Sequence, residues 1–337
     1  MRLLRRPSGG TAFVLSGGGN LGALQVGMLE ALADHDVVPD LVLGCSVGAL
    51  NGAAYSRNPT VEGVREIAET WCAIESPTLM PSSRVPSAIQ LLRKGASLHD
   101  SSGLRDTIGK LLGTSHDFES LELPFQCVAT SVDTAMEHWF HSGSLIPAIM
   151  ASAALPAVYP PVEIDGQRFV DGGVVDNVPI ARAVELGCDR IYVLHVGSHG
   201  RPEADVKRPL DGALLAYWLA RNSRFARDLV ALPDGVEAIV LPPGRRPELR
   251  YDDFSQTESL IRQGRELSGE FLDKRAEEIE AATGSRLVER LGRLRLPRVG
   301  SRTREAENAA ESPDGAIVLG GDPPEDQDQQ PGPDEES

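Results

Sequence analysis

The chain reads as an α/β protein with a sheet of parallel strands, and three stretches predict it. "TAFVL" (Thr11 to Leu15) is a β-branched and aromatic run that breaks at "SGGGNLG" and gives way to "ALQVGMLEALADH", whose apolar residues recur at helical spacing. "PDLVLGCS" followed by "VGALNGAAYS" repeats the plan within the first 56 residues. Near the other end of the fold, "PIARAVELG" and "CDRIYVLHV" restore the same rhythm. Strands that alternate with helices pair in parallel, because each crossover helix returns the chain to the same end of the sheet.

The remaining elements follow in order. From Glu75 to Gly103 the text is irregular, with three prolines and many serines, and reads as a cap or as a plain surface connection. "PFQCVATSVD" (Pro124 to Asp133) is a buried strand and "MEHWFHSG" its partner, while "SLIPAIMASAAL" is a helix stopped by Pro156. In "VEIDGQRFVDGG" the Asp165-Gly166 pair sits between two alternating runs, the signal of a two-residue hairpin. "GVEAIVLPP" (Gly235 to Pro243) is the last strand, and "TESLIRQGRELSGEFLDKRAEEIEAA" closes the domain as a long amphipathic helix.

Charge and composition bound the partners. The formal net charge is −16, but residues 301–337 alone hold eleven Asp and Glu against two Arg. The acidity is therefore concentrated in a Pro-rich, aromatic-poor tail with the composition of a disordered segment, and the chain is not expected to bind nucleic acid. Residues 284–304 carry seven arginines and one glutamate, with Leu287, Leu291 and Leu294 on one helical face. Two readings stand for this segment: an amphipathic helix in peripheral contact with anionic membrane, and a solvated helix whose arginines pair with the acidic tail.

The expected organisation is thus a basic extension over residues 1–10, one domain over 11–283, the Arg-rich segment over 284–304 and the acidic tail over 305–337. The four cysteines show no metal-binding spacing and read as reduced thiols. No apolar run has the length of a membrane span or of a signal-peptide core, so a cytoplasmic location is expected. Oligomeric state has no signature.

Two glycine-rich turns hold the candidate chemistry. "GCSVG" (Gly44 to Gly48) matches GxSxG between a strand and a small-residue helix, where flanking Gly44 and Gly48 let the backbone lift Ser46 clear of the sheet as a nucleophile. The alternative is that Ser46 is only a small residue in a crowded turn. "GGGNLG" (Gly17 to Gly22) has three readings. Backbone amides there can form an oxyanion hole. The spacing Gly17-x-Gly19-x-x-Gly22 also fits a dinucleotide fingerprint with Asp36 and Asp40 near the acidic position, and the third reading is a tight turn without ligand. A serine elbow one βα unit later favours the first reading.

For the base, His195 and His199 in "LHVGSHG" follow a strand, but the better candidate is Asp171 in "FVDGGVVDNVP", at the end of a hairpin strand and followed by Gly172 and Gly173. An aspartate with an ordinary pKa of about 4 is ionised at neutral pH, and burial beside Ser46 raises its basicity. Asp176 is the reserve.

The three motifs "GGGNLG", "GCSVG" and "DGG", in this order, resemble the patatin-like phospholipase family. "LHDSSGLRDTI", "ASAALPAVYPPVEIDGQRFVDGGVVDNVPI" and "DFSQTESLIRQG" agree with it, so the resemblance covers roughly Thr11 to Ala282. It implies a mostly parallel central sheet sandwiched by helices, in three layers, and a lipid acyl hydrolase acting on lipid or acyl-ester substrates through a Ser/Asp dyad, with no metal or organic cofactor. Ser46 would be the nucleophile, Asp171 the base, and the amides of Gly17, Gly18 and Gly19 the oxyanion hole. One departure stands out: many members carry Arg or Lys in the glycine loop where this chain has Leu21. A dinucleotide-binding protein and a non-catalytic lipid-binding relative remain the alternatives.

Overall fold

The structure is a computed structural model and describes residues 9–74, 101–156, 158–197, 209–244 and 253–293. Residues 1–8 of the basic extension, most of the irregular segment from Glu75, His199, the Arg-rich segment beyond Arg293 and the acidic tail lie outside the described residues, and β1 already begins at Gly10. All the strands belong to the compact unit Met1–Ser285.

The strands are β1 (Gly10–Leu15), β2 (Leu41–Cys45), β3 (Phe125–Ser131), β4 (Glu137–Phe140), β5 (Val162–Ile164), β6 (Gln167–Asp171), β7 (Cys188–Leu194) and β8 (Glu237–Val240). They form one sheet in the order β5-β6-β3-β2-β1-β7-β8, with β4 also pairing with β3. From β3 through β2, β1 and β7 to β8 every pairing is parallel, and the pairings of β3 with β4 and β6, and of β5 with β6, are antiparallel. The described helices are α1 (Gly22–Asp34), α2 (Val47–Arg57), α3 (Val61–Cys72), α4 (Ser102–Leu112), α5 (Leu145–Ser152), α6 (Ile180–Glu185), α7 (Pro209–Val230) and α8 (Thr257–Arg293). The expected mostly parallel sheet with helices on both sides is the observed one.

The layers follow from side-chain alternation along the central strands. On β1, Phe13 and Leu15 enter the larger core with α1, α2 and α8, whereas Ala12 and Val14 enter a second core with Ile180, Ala183 and Phe225 of α6 and α7. β7 divides the same way, with Tyr192 and Leu194 on the first side and Ile191 and Val193 on the second. A strand buried on both faces needs apolar residues at consecutive positions, which is why "AFVL" and "IYVL" show no polar alternation. The hairpin turn is as expected: Asp165 and Gly166 both have positive φ, 51° and 76°, which the right-handed twist of a two-residue β-hairpin requires.

Three helices fall where sequence patterning assigns none. α3 starts at Thr60, whose hydroxyl accepts from the Gly63 amide at 3.1 Å, and it buries Val64, Ile67 and Trp71. α4 begins inside the segment read as irregular, and α7 occupies a stretch between β7 and β8 that carries no strong period. α8 crosses α1 almost backbone to backbone, since a Cβ on Gly27 would strike the carbonyl of Ile261 and one on Gly264 would strike that of Leu24.

Candidate active site

Both glycine-rich turns leave the carboxyl ends of adjacent parallel strands, β1 and β2. β7 continues the sheet on the other side of β1, so chain order reverses there, the place where open α/β sheets form a crevice. Register sets the level of the third residue. β4 pairs with Cys127 to Thr130 on one edge of β3, while on the other edge β2 pairs up to Val128 and β6 takes over from Ala129, opposite Asp171, so Ser46 and Asp171 meet where β2 gives way to β6 along the same edge.

Ser46 sits between β2 and α2 with φ 53° and ψ −123°, a conformation that L-residues rarely adopt and that costs about 1–3 kcal/mol. The surrounding contacts hold it there. The Ser46 amide donates to Ser152 Oγ at 2.9 Å, and its carbonyl accepts from Ala49 at 2.8 Å. Gly44 and Gly48 are required by space: a Cβ on Gly44 would strike the Gly48 carbonyl, and one on Gly48 would strike the carbonyl of Leu15. The N-terminus of α2 points its positive end at the serine.

The Ser46 hydroxyl lies beside the Asp171 carboxyl and acts to lower its pKa. Asp171 is 2% exposed and fixed through its backbone, its amide donating to the Ala154 carbonyl at 2.9 Å and its carbonyl accepting from Thr130 Oγ1 at 2.9 Å. Oδ1 also accepts the Gly173 amide at 2.7 Å, and Gly172 presses so closely on Val128 that a Cβ would strike its carbonyl. Burial pushes the Asp171 carboxyl above its usual value, opposed by Ser46, by the bond from Gly173 and by the charge of Arg221. The result is a carboxylate more basic than a solvated one and beside the serine hydroxyl. The neighbouring Cys45 thiol is pushed well up by its burial and by Asp171, and so stays protonated.

The glycine loop is tied down at both ends. Gln25 Nε2 donates to the Ser16 carbonyl at 2.7 Å, Asn51 Nδ2 donates to the Gly22 carbonyl at 3.0 Å, and Trp71 Nε1 donates to Asn51 Oδ1 at 2.7 Å. Gly22 packs against Val47 and Trp71 with no room for a Cβ. Gly17 lies against the serine: a Cβ there would approach Ser46 Cβ to 3.1 Å.

One expectation changes here. The Gly17 amide is spent on the Asn177 carbonyl, at 3.2 Å, because the turn after Asp176 packs against the start of the loop. The loop amides left for a ligand are those of Gly18, in extended backbone, and Gly19, at φ 60°. Leu21 is half-buried and packs against the larger core.

Other candidates fall elsewhere. His195 is buried with its ring 4.7 Å from that of Phe225. Asp40 Oδ2 accepts the Thr11 amide at 2.8 Å, at the amino ends of β1 and β2, which is the edge of the sheet away from the glycine loop. Asp40 therefore cannot serve as the acidic partner of a dinucleotide at that loop. Asp176 is buried beside Arg224, with Oδ2 and Nη2 3.5 Å apart, and its burial pushes its pKa up to about 7. Among the described residues no group of three His, Cys, Asp or Glu side chains is arranged to hold a metal ion.

Two contributors carry no motif. Ser152, at the end of α5, and Arg221, whose Nη2 donates to the Gly17 carbonyl at 3.2 Å, reach the site only through the packing of α5 and α7. An apolar run ending in small residues was legible as α5, but nothing in it singled out Ser152.

An α/β sheet with a strained serine elbow, a buried aspartate beside the serine and a glycine loop next to both defines a serine-hydrolase type of site. The family profile described as patatin-like phospholipase matches residues 13–184, and the chain belongs to that family. It is 31% identical over 210 residues to patatin-like phospholipase domain-containing protein 7 of Rattus norvegicus, which covers 62% of this chain and 15% of that one. It is also 31% identical over 202 residues to lysophospholipase NTE1 of Coccidioides immitis (strain RS), covering 58% and 12% respectively. The chain thus spans less than a fifth of the length of these relatives. Among solved structures, VipD from Legionella pneumophila aligns over 80% of this chain and 67% of that one, with a TM-score of 0.42 and 14% identity.

Proposed function

We propose that the protein is a lipid acyl hydrolase that cleaves carboxylic esters through an acyl-serine intermediate. The observation that carries this reading is the placement of Ser46, held at positive φ, beside the buried carboxyl of Asp171. Ser46 Oγ attacks the ester carbonyl as its proton passes to Asp171, and the carbonyl oxygen becomes an oxyanion facing the Gly18 and Gly19 amides. Collapse breaks the bond to the alcohol, which leaves with the proton from Asp171. Water then attacks the acyl-enzyme, giving its proton to Asp171, and Ser46 takes that proton back as the fatty acid departs.

The names of the relatives, phospholipase and lysophospholipase, support a glycerophospholipid or lysophospholipid as substrate. The reading also takes the protein to be cytoplasmic and to meet its substrate by peripheral contact with a membrane; among the described residues no helix is long and apolar enough to cross one. Labelling with a fluorophosphonate probe tests the mechanism. Wild type is expected to label, Ser46→Ala to remain unlabelled and Asp171→Asn to label far more slowly. A wild type that binds fatty acid without labelling would instead be a non-catalytic lipid binder.

A further inference from the structure

We infer that Arg221 is a positioning residue for the oxyanion loop: by holding the Gly17 carbonyl, it fixes the direction of the Gly18 N–H in the same peptide. This rests on the acyl-hydrolase reading above. Arg221 Nη2 donates to Gly17 O at 3.2 Å, and Asn177 Nδ2 donates to the same oxygen at 3.3 Å. In a planar trans peptide the C=O and N–H point in opposite directions, so two donors on the Gly17 carbonyl set where the Gly18 amide points. A Gly-Gly segment needs such a restraint, because rotation of that peptide meets no Cβ and would turn the donor away. A cation on the carbonyl also polarises the peptide and makes its N–H a stronger donor toward a developing oxyanion.

Arg221 is itself held. Its guanidinium carbon lies 5.0 Å from the centre of the Tyr217 ring, over its face. One turn further along α7, Arg224 pairs with Glu137 at 2.9 Å and Asp228 at 3.0 Å and faces Asp176 at 3.5 Å, which docks the helix against the site. Leu21, inside the loop, packs into the core and brings no charge, so the cation comes from a remote helix.

The groups facing Asp171 are Cys45 of β2, Ser46, the Gly173 amide, and Tyr217 and Arg221 of α7, with Asp176 acting on Cys45 from the same side. Arg221 lowers the Asp171 pKa and burial raises it. Removing the cation therefore leaves the carboxyl protonated to higher pH, and the acid limb of the rate profile moves up.

The test measures hydrolysis of a short-chain p-nitrophenyl ester by the full chain across a pH series, with melting temperatures, for wild type, Ser46→Ala, Arg221→Ala and Arg221→Lys. Arg221→Ala is expected to lower kcat about 10- to 100-fold, less than the roughly 100- to 1000-fold that follows loss of an oxyanion donor itself. KM should stay nearly unchanged and the acid limb should move to higher pH. Arg221→Lys, which keeps a donor and a charge, should recover much of kcat and return the limb. Wild-type kcat in Arg221→Ala overturns the inference, as does a loss that lysine fails to rescue and that tracks a lowered melting temperature. Ser46-dependent hydrolysis indifferent to Arg221 sinks this inference alone. Absence of Ser46-dependent hydrolysis in the wild type sinks the acyl-hydrolase reading as well.

Discussion

The turn at Gly44 to Gly48 and the loop at Gly17 to Gly22 are both glycine-rich, both follow a central strand, and are held in different ways. The elbow is closed by hard backbone contact: Gly44 against the Gly48 carbonyl and Gly48 against the Leu15 carbonyl at the end of β1, with no room for a Cβ on either. The loop is steered at its centre by side chains from distant segments, Asn177 after β6 and Arg221 on α7, which grip the Gly17 carbonyl. A strained nucleophile must be enforced by hard contacts that cost stability if lost. A pair of amide donors only needs aiming, which hydrogen bonds supply.

That difference can be broken at either side. The largest effect is expected where the elbow meets its base. Asp171→Asn keeps the shape but cannot take the proton, so kcat should fall about 100- to 10,000-fold with the melting temperature little changed. Normal turnover of a purified Asp171→Asn protein would remove the aspartate from the mechanism.

Next comes Gly48→Ala, whose methyl group would meet the Leu15 carbonyl and come within 2.7 Å of that of Ser16. Overpacking of this kind costs about 1–3 kcal/mol, so denaturant titration should show a lower midpoint together with lost activity. A variant of wild-type stability would show that the elbow is not closed by backbone contact.

On the loop side, Asn177→Ala removes one of the two donors on the Gly17 carbonyl while leaving its own carbonyl for the Gly17 amide. A fall in kcat of about 10-fold is expected, with a stability loss of about 1 kcal/mol for one buried hydrogen bond. A larger loss of stability than of activity would place Asn177 with the elbow rather than with the loop.

A pH dependence beside the loop, read in stability rather than in turnover, completes the comparison. The pKa of Asp176 is pushed from 3.8 up to about 7 by burial, so the folded protein holds this proton after the unfolded chain has released it. Its contribution to stability therefore falls as pH rises from the usual carboxylate range to about 7. Asp176→Asn stays neutral, and its denaturation midpoint should decline less than that of wild type across this window. Parallel declines would assign the dependence to another group.

Much of the fold was legible because the central strands are buried on both faces. "AFVL", "LVL" and "IYVL" need no partner to look like strands, and the glycine turns after the first two mark where the chain leaves the sheet. The Asp165-Gly166 hairpin was equally readable, since its positive φ angles select those residue types. α7 was not, because its contacts to the site come through Tyr217, Arg221 and Arg224. Such residues on a half-exposed helix look like ordinary surface charge.

By itself the sequence determined the strand-turn-helix units, the serine between two glycines and the aspartate before two more, because these depend on backbone conformation within a few residues. Only the tertiary structure decided that Asp171 meets Ser46, since that depends on β2 and β6 pairing in succession with the same edge of β3. It also decided that the Gly17 amide is spent on Asn177 and that the charge on the loop comes from Arg221 rather than position 21. Hydrogen bonds and charges reach across space between residues far apart in the chain, and local sequence carries no record of which distant helix will lie within 3.2 Å of a carbonyl.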